Sequence, residues 1–342
     1  MLKNYEHDIK LRQQTFRTWL EAFCKEAPSL QEFAVASYKR YGLHVQPDNS
    51  IIYREWAPSA KRLSLFGEFN GWDREAHIMT PTGFGVWEIT IPPKKGGEPA
   101  IPHRSQLKIF VHTASGAHQD RNPAWASYCV QDPGTFLFNA CLWNPPAGEK
   151  FEFKHERPKA PVDLRIYECH VGMSSEEHVV ASYTYFADNV LPRIAETGYN
   201  AVQLMAVKEH SYYGSFGYHV TNFFAPSSRC GTPDELKYLV DRAHAHGLIV
   251  LMDCIHSHAS SNVIDGIAQL DGTDFQYFHA GEKGHHAQWD SKLFDYHKYE
   301  VLRFLLANIA WWMVEFRFDG FRFDAVTSIL YHHHGINMGF SG

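Results

Sequence analysis

The segment Gly320-Phe-Arg-Phe-Asp324 combines an arginine and an aspartate at a spacing that could serve covalent catalysis. Side chains alternate between the two faces of a β-strand, so Arg322 and Asp324 are predicted to share one face. A guanidinium beside a carboxyl group favours the ionised carboxylate, which is the form that a nucleophilic aspartate requires. A buried ion pair that only fixes the strand would show the same pattern, so both interpretations stay open.

A second group of polar residues interrupts and follows an apolar run. The residues from Leu248 to Ile255 are apolar apart from Asp253, and His256 and His258 come shortly after them. Such a run is typical of a strand that is buried on both faces of a parallel sheet. Aspartate and histidine bind zinc, and they also exchange hydrogen bonds with sugars. The residue types alone leave both kinds of site open.

Two further segments are rich in polar or aromatic side chains. In Tyr212-Tyr-Gly-Ser-Phe-Gly-Tyr218-His219, the glycines allow close backbone approach, and Tyr218 could stack on a sugar ring or simply pack in the core. The run His332-His333-His334 resembles a metal-binding tract, but adjacent residues of a helix do not share a face. We therefore expect this run to have a local structural role or to belong to a substrate loop.

The spacing of apolar and turn residues predicts a helix, then a β-rich region, then alternating strands and helices. Short β-rich runs separated by turn residues favour a small β-sandwich, and repeated βα units favour a parallel α/β barrel or a doubly wound sheet. The predicted strands are Ile51–Trp56, Arg62–Phe69, Val86–Pro92, Gln106–His112, Thr135–Trp143, Arg165–Val171, Asn200–Val207 and Leu248–Ile255, with a fourth barrel strand that ends at Asp324. The predicted helices are Tyr5–Cys24, Phe186–Glu196, one that opens at the capping box Thr232-Pro-Asp-Glu235, and Tyr299–Val314.

Composition excludes several classes of protein. The 342 residues are 44% apolar and 20% charged, which is typical of a folded globular chain, and the net charge of −6 offers no basic surface for nucleic acid. The six cysteines are scattered without paired spacing, which is typical of reduced thiols. We find no apolar signal segment and no run of 18 apolar residues. We therefore expect a soluble, cytoplasmic protein without a membrane partner.

Several of these segments resemble one family of carbohydrate-active enzymes. The strings Asp253-Cys-Ile-His-Ser-His258 and Gly320–Asp324 resemble the first and second conserved regions of glycoside hydrolase family 13, the α-amylase clan. Within it, Ser215–Ala225 and Val326–Gly335 are similar to the eukaryotic branching enzymes. The strings Arg54-Glu-Trp-Ala-Pro58 and Gly67-Glu-Phe-Asn-Gly-Trp72 resemble the carbohydrate-binding module that precedes the barrel of those enzymes.

The resemblance implies an α/β fold with an all-β module. Residues 1–39 would form an N-terminal helical segment, residues 40–150 a β-sandwich carbohydrate-binding module, and residues 160–342 the first half of a (β/α)8 barrel. The expected activity is transfer of an α-1,4-glucan segment to a 6-hydroxyl, as in glycogen or starch synthesis, with no cofactor or metal. The partner would be an α-1,4-glucan, and the full-length protein would be a monomer.

The resemblance also assigns roles to individual residues. Asp324 would be the nucleophile and Arg322 its orienting partner, while Tyr218, Asp253 and His258 would line the subsite for the transferred sugar. Further glucan contacts are expected at two positions of the module, Trp72 and Lys108. The remaining expected contacts are Trp56, Ala57 and Pro58, and Glu300, Val301, Leu302 and Arg303.

A retaining mechanism needs two carboxyl groups roughly 5–5.5 Å apart, a nucleophile and an acid/base. In the family, the acid/base glutamate follows the fifth barrel strand, and the present sequence reaches Gly342 soon after the fourth. We therefore expect these 342 residues to be inactive alone; if they were active, another carboxyl group such as Glu209 or Glu168 would have to act as the acid. A non-catalytic glucan-binding protein is one alternative, and an amylase-like hydrolase is another that the branching-type strings argue against.

Two structural expectations follow from a half barrel. The first and fourth strands should be open edges, and apolar side chains such as Phe316 and Phe318 should lack partners. The sandwich should keep a core of its own, so that limited proteolysis would leave a resistant piece near residues 40–150.

Overall fold

The computed structural model describes residues 2–331 and 333–338. The helices are α1 Glu6–Cys24, α2 Leu30–Arg40, α3 Tyr183–Tyr185, α4 Leu191–Glu196, α5 Pro233–Ala245, α6 Tyr299–Glu315 and α7 Val326–Leu330. The strands are β1 Gly42–Val45, β2 Ile51–Trp56, β3 Arg62–Gly67, β4 Thr80–Gly83, β5 Val86–Ile91, β6 Gln106–His112, β7 His118–Arg121, β8 Cys129–Gln131, β9 Phe138–Cys141, β10 Ile166–Cys169, β11 Ala201–Leu204, β12 Lys208–Glu209, β13 Asn222–Pro226, β14 Ile249–Cys254, β15 His258–Ser260, β16 His285–His286, β17 Ser291–Leu293 and β18 Gly320–Phe323. None of the helices within the described residues has the length and hydrophobicity that a membrane crossing demands.

Strands β1 to β9 form two antiparallel sheets. One has the order β1-β2-β5-β4, and the other has the order β3-β6-β9-β8 with β7 paired to β6. Alternation places Leu63 and Leu65 of β3 in the interior beside Ile109 of β6, all with no exposed surface. The sequence predicted β2 and β6 with their observed bounds. It missed β4, whose residues are all exposed and carry no apolar alternation.

Strands β10, β11, β14 and β18 form a parallel sheet in that order. A capping box starts α5, because the Thr232 side chain accepts from the Glu235 N–H while the Glu235 carboxylate accepts from the Thr232 N–H. Among the described residues, β10 and β18 each pair on one side only, as the sequence predicted. Parallel strands end at one edge of a sheet, so the residues at their carboxyl ends are brought together.

The expectation that the sandwich has a core of its own is wrong. One continuous apolar cluster contains residues of both antiparallel sheets together with residues of β13 and α6. Trp125, which follows β7, stacks on Tyr41 at 5.0 Å and on Phe224 at 4.7 Å between ring centroids, and it meets Phe304 edge-on at 5.1 Å. Aromatic rings from four distant parts of the sequence therefore close a common core.

The expectation that Phe316 and Phe318 lack partners is also wrong. They are 1% and 0% exposed, and their rings lie 4.7 and 5.9 Å from that of Trp312. Arg317, between them, has a positive φ of 56°, which turns the chain back against α6 before β18 begins. The exposed apolar residues of this region come later, such as Phe323 and Leu330.

The N-terminal helices differ from the prediction in extent and in packing. In α1 the buried position is Phe23, whereas Ile9 and Phe16 of its predicted apolar face are exposed. The sequence predicted one helix in this segment, Tyr5–Cys24, and missed α2. Helix α2 starts at the N-cap Ser29, whose side chain accepts from the Glu32 N–H, and it packs along α6.

A strained residue turns the chain from β18 into α7. Ala325 has φ 52° and ψ 43°, in the left-handed region that favours glycine. A side chain in this region costs about 1–2 kcal/mol. The sequence places alanine here, directly after Asp324.

We predict that Ala325→Gly raises the free energy of unfolding by about 0.5–1 kcal/mol, because relief of the left-handed strain outweighs the larger unfolded-state entropy of glycine. Urea unfolding followed by circular dichroism measures it. The matched control is Ala36→Gly, on the exposed side of α2, which should lower the free energy of unfolding by about 1 kcal/mol. A destabilised Ala325→Gly variant would show that the left-handed turn is not where the strain lies.

The shared core changes the proteolysis that we expect. Cleavage should occur first in exposed α1 and in the exposed connector around residues 156–165. Because Trp125 packs between Tyr41 and Phe224, a piece near residues 40–150 should stay bound to the rest after cleavage. Size-exclusion chromatography of the digest, compared with denaturing electrophoresis, shows whether the cleaved piece stays bound to the rest of the protein or is released. Elution of a free 40–150 piece would show that the sandwich has an independent core after all.

Candidate active site

Five polar side chains meet near the carboxyl ends of the parallel sheet. The register pairs Glu168 of β10 with Gln203 of β11, and Asp253 of β14 with Arg322 of β18. Asp324 follows β18 directly, and its backbone N–H donates to the Cys254 carbonyl at 3.1 Å. The sequence predicted Asp253, Arg322 and Asp324 as site residues and named Glu168 only as a substitute acid, and it missed Gln203. Alternation along a short strand with poorly defined ends was the available signal for Gln203.

The guanidinium of Arg322 lies between two carboxylates. Its Nη1 donates to Asp324 Oδ1 at 2.7 Å and to Asp253 Oδ2 at 3.3 Å. Partial burial opposes the charge of Arg322, but Asp253 and Asp324 outweigh it and raise the pKa of the guanidinium. Arg322 is therefore a fixed positive charge beside both carboxyl groups.

Asp253 has no exposed surface and is held from both sides. Its Oδ1 accepts from Gln203 Nε2 at 2.9 Å, and its Oδ2 accepts from the Tyr218 hydroxyl at 2.6 Å. Burial raises the pKa of Asp253, while the Tyr218 hydrogen bond and the Arg322 charge act against that rise. Gln203 Nε2 also donates to Glu168 Oε1 at 3.2 Å, so one amide ties two carboxylates to the same edge.

Tyr218 reaches this cluster from the glycine-rich segment that the sequence singled out. Its pKa is raised by burial and by its hydrogen bond to Asp253, so it is a hydroxyl donor. At Gly217 the backbone passes close to Ala206. Its φ is 90°, and an added Cβ would lie 2.1 Å from the Ala206 carbonyl oxygen. This glycine therefore serves the packing of the chain that carries Tyr218.

His258 lies beside Tyr218 and has internal partners for both ring nitrogens. Nε2 is 3.0 Å from the Tyr218 carbonyl, and Nδ1 is 2.8 Å from the Ser257 hydroxyl. Burial lowers the pKa of His258 to about 4, so the ring is neutral near pH 7. A carbonyl only accepts, so Nε2 carries the proton and Nδ1 accepts from Ser257.

The zinc interpretation of Asp253, His256 and His258 does not fit the geometry. His256 Nε2 lies 3.0 Å from Asn308 Oδ1 and 3.4 Å from Lys208 Nζ, so this ring nitrogen faces side chains other than Asp253 and His258. Among the described residues, no group of three histidine, cysteine, aspartate or glutamate side chains could hold a metal ion.

The structure describes part of the histidine run that follows. His332 lies outside the described residues, and Nδ1 of His334 is 2.9 Å from the Ser328 carbonyl. His334 thus has a local contact with α7, in keeping with the structural role that we expected for the run.

The predicted module contacts Trp72 and Lys108 lie on one face of the second antiparallel sheet. Trp72 is 37% exposed and meets Phe66 edge-on at 5.7 Å, and Lys108 is the register partner of Phe66. Lys108 is only 7% exposed, and burial lowers its pKa. Trp72 is therefore the accessible member of this pair.

The other predicted glucan contacts are mostly internal. Trp56 and Ala57 are buried, Pro58 is exposed, and the Trp56 ring meets Tyr277 edge-on at 5.2 Å. The four residues on α6 lie where this helix meets α1 and α2. Val301 has no exposed surface there, Leu302 is half-buried, and the side chains of Glu300 and Arg303 are joined at 2.9 Å.

Arg303 has further partners in the N-terminal helices. Its guanidinium donates to Glu26 at 2.6 Å and to Ser37 at 3.1 Å, and the Tyr41 hydroxyl donates to Glu300 at 3.2 Å. These contacts give the 300–303 segment a role in holding helices together, and its predicted contact with glucan stays a prediction.

Comparisons with known proteins agree with this arrangement. Residues 40–126 match the family model for carbohydrate-binding module 48, the isoamylase N-terminal domain. The chain is 55% identical over its whole length to a 1,4-alpha-glucan-branching enzyme of Yarrowia lipolytica, covering 49% of it. It is also 55% identical over its whole length to the chloroplastic/amyloplastic 1,4-alpha-glucan-branching enzyme 2-2 of Arabidopsis thaliana, covering 42% of it.

Solved structures show the fold at lower identity. The catalytic module of the glycogen-degrading pneumococcal virulence factor SpuA superposes with a TM-score of 0.70 at 15% identity, over 89% of this chain and 50% of that one. A pullulanase from Paenibacillus barengoltzii gives a TM-score of 0.67 at 20% identity, over 84% of this chain and 48% of that one. The chain spans about half the length of the curated relatives it matches. By sequence, the whole chain is thus related to the 1,4-alpha-glucan-branching enzymes and corresponds to part of their length.

Proposed function

We propose that this chain contributes the nucleophile side of a glucan branching site, with Asp324 as the nucleophile. The observation that carries the proposal is the Arg322 guanidinium between Asp324 and buried Asp253, at 2.7 and 3.3 Å. The 55% identity to branching enzymes over the whole chain supports the same assignment. The position at the carboxyl edge of a parallel sheet supports it further, because active sites of α/β folds lie there.

In the proposed reaction, Asp324 attacks the anomeric carbon of an α-1,4-linked glucose while the bond to the leaving 4-oxygen breaks. A 6-hydroxyl of a second glucan chain then displaces Asp324 and forms an α-1,6 bond. Each step inverts the anomeric carbon, so the product is again an α-linkage. A carboxyl group near Asp324 must donate a proton to the leaving oxygen and later accept one from the 6-hydroxyl.

The surrounding residues position the nucleophile and the sugar. Arg322 holds the Asp324 carboxylate in position, because its Nη1 donates to Oδ1. Asp253 is fixed by Gln203 and Tyr218, so it is suited to holding sugar hydroxyls rather than to moving a proton. Glu209 is not a candidate acid, since its carboxylate oxygens accept the backbone N–H groups of His210 and Ser228.

We also propose a barrel architecture and a domain division for this chain. The parallel order β10-β11-β14-β18 and the TM-scores support the first half of a (β/α)8 barrel. We keep the division into residues 1–39, 40–150 and 160–342. The match to carbohydrate-binding module 48 supports a polysaccharide substrate. Cytoplasmic location and a monomeric state stay predictions.

A glucan-binding role without catalysis is the second candidate. The match over residues 40–126 favours it, because a carbohydrate-binding module can hold a polysaccharide independently of the active site. Substitutions at Asp324 and at Trp72 separate the two candidates.

We predict that Asp324→Asn, in the protein expressed from its own complete gene, lowers the branching rate by at least about a thousandfold and leaves glycogen binding intact, because only the bond-forming group is lost. Chain transfer is measured from the α-1,6 linkages formed. The control is Asp163→Asn, an exposed carboxylate of the connector, which should have no effect.

Two results would count against this assignment. Near-normal branching by the Asp324→Asn variant would show that Asp324 is not the nucleophile. Branching by the 342 residues expressed alone would mean that a carboxylate among them, such as Glu168, supplies the proton.

We predict that Trp72→Ala weakens binding to glycogen by about tenfold, because an exposed aromatic ring that packs on a ligand contributes much of the binding energy. Affinity electrophoresis in glycogen gels measures the effect. Phe136→Ala is the matched control, since Phe136 is a more exposed aromatic residue, at 71%, in the turn between β8 and β9. Equal retention of the two variants would show that Trp72 is not part of the glucan-binding surface.

A further inference from the structure

An exposed tryptophan lies beside the candidate active site and has no role in the proposed chemistry. Trp289 sits in the turn between β16 and β17, where its backbone N–H donates to the His286 carbonyl at 3.1 Å. Its ring lies flat on the His286 imidazole, with centroids 3.9 Å apart and planes 4° apart. The residue is nevertheless 37% exposed. The indole is therefore held in a fixed orientation without being buried.

The turn that carries Trp289 is tied to the site by short contacts. The Trp289 ring lies 5.2 Å from that of His258, and strand β15, which begins at His258, pairs with β17. His258 Nε2 donates to the Tyr218 carbonyl, and the Tyr218 hydroxyl donates to Asp253. Trp289 is thus the outward end of a chain of contacts that starts at Asp253.

Further ring contacts lead on from His258, so that Trp289, His258, His219 and Tyr212 form a row of successive ring contacts. The His219 ring lies 6.4 Å from His258, and the Tyr212 ring lies 6.3 Å from His219. Tyr212 is 64% exposed. A single exposed aromatic residue on a protein surface needs no explanation, but exposed rings at both ends of a row beside a polar site mark a binding surface.

We propose that Trp289 is a stacking platform for a glucose ring of the bound α-1,4-glucan, at a subsite next to the one at Asp253. The C–H faces of a pyranose ring are apolar, and an aromatic face held rigid by His286 receives them with little loss of side-chain entropy. Tyr212, at the other end of the row, is placed to contact the chain further along. This inference rests on the proposed function, because it names how the same site holds its polysaccharide.

The test measures the affinity of the 342-residue chain for maltoheptaose by calorimetry, in a Trp72→Ala background that removes the module surface. Trp289→Ala should weaken binding by about tenfold, and Trp289→Tyr, which keeps an aromatic face, should restore most of it. Tyr218→Phe serves as the site control, because it removes the hydroxyl that donates to Asp253.

The pattern of results separates the inference from the proposed function. If Tyr218→Phe weakens binding and Trp289→Ala does not, the platform is wrong and the proposed site stands. If neither substitution changes the affinity, the Trp289 platform and the proposed site are both overturned. Should Trp289→Ala fold poorly, protein labelled with 5-fluorotryptophan gives a direct measurement. The 19F resonance that disappears in Trp289→Tyr should shift when maltoheptaose is added, and a resonance that does not move during saturation would overturn the platform.

Discussion

The Arg322 guanidinium, between Asp253 and Asp324, is the interaction on which the candidate site depends. It crosses two neighbouring parallel strands, because Asp253 and Arg322 are register partners and Asp324 follows two residues later. Asp253 is fully buried, and burial alone would favour its neutral form. The nearby positive charge and the Tyr218 hydroxyl oppose that effect, so the anionic cluster and the sheet register support each other.

The antiparallel sheets take part in this scaffold. Arg121 of β7 is 1% exposed, and its guanidinium donates to the carbonyls of Gly266, Ala268 and Gln269 at 2.6 to 2.7 Å. Those carbonyls belong to the segment that follows β15, the strand that begins at His258. A buried guanidinium needs such acceptors, and the segment gains a fixed path from them. The module therefore supports the loop region next to the site through hydrogen bonds as well as through the shared apolar core.

Much of the site could be predicted from local pattern. Alternation along one strand placed Arg322 and Asp324 on the same face, and an apolar run with one carboxylate placed Asp253 in a buried strand. Gln203 was missed because its importance comes from bridging Glu168 and Asp253, a contact between separate strands that periodicity does not encode. The same limit explains the wrong expectation of an independent sandwich core.

Contacts between distant parts of the sequence were also hard to predict. Arg303 and Glu300 fit a glucan contact by resemblance, yet they pair with each other, and Arg303 also pairs with Glu26 where α6 meets the N-terminal helices. Helix α2 was missed because its partner is α6, more than 250 residues later in the sequence. Local propensity carries little information about such distant packing.

Trapping the covalent intermediate tests directly whether Asp324 is the nucleophile. An α-glucosyl fluoride with a second fluorine at C5 reacts through a leaving group that needs no protonation, so the reaction depends on the nucleophile and its immediate partners. After digestion and mass spectrometry, we predict the sugar on the peptide that contains Asp324, and no label in the Asp324→Asn variant. Label on the peptide of Asp253 or of Glu168, or a protein that branches glucan while the Asp324 peptide stays unlabelled, would contradict this assignment.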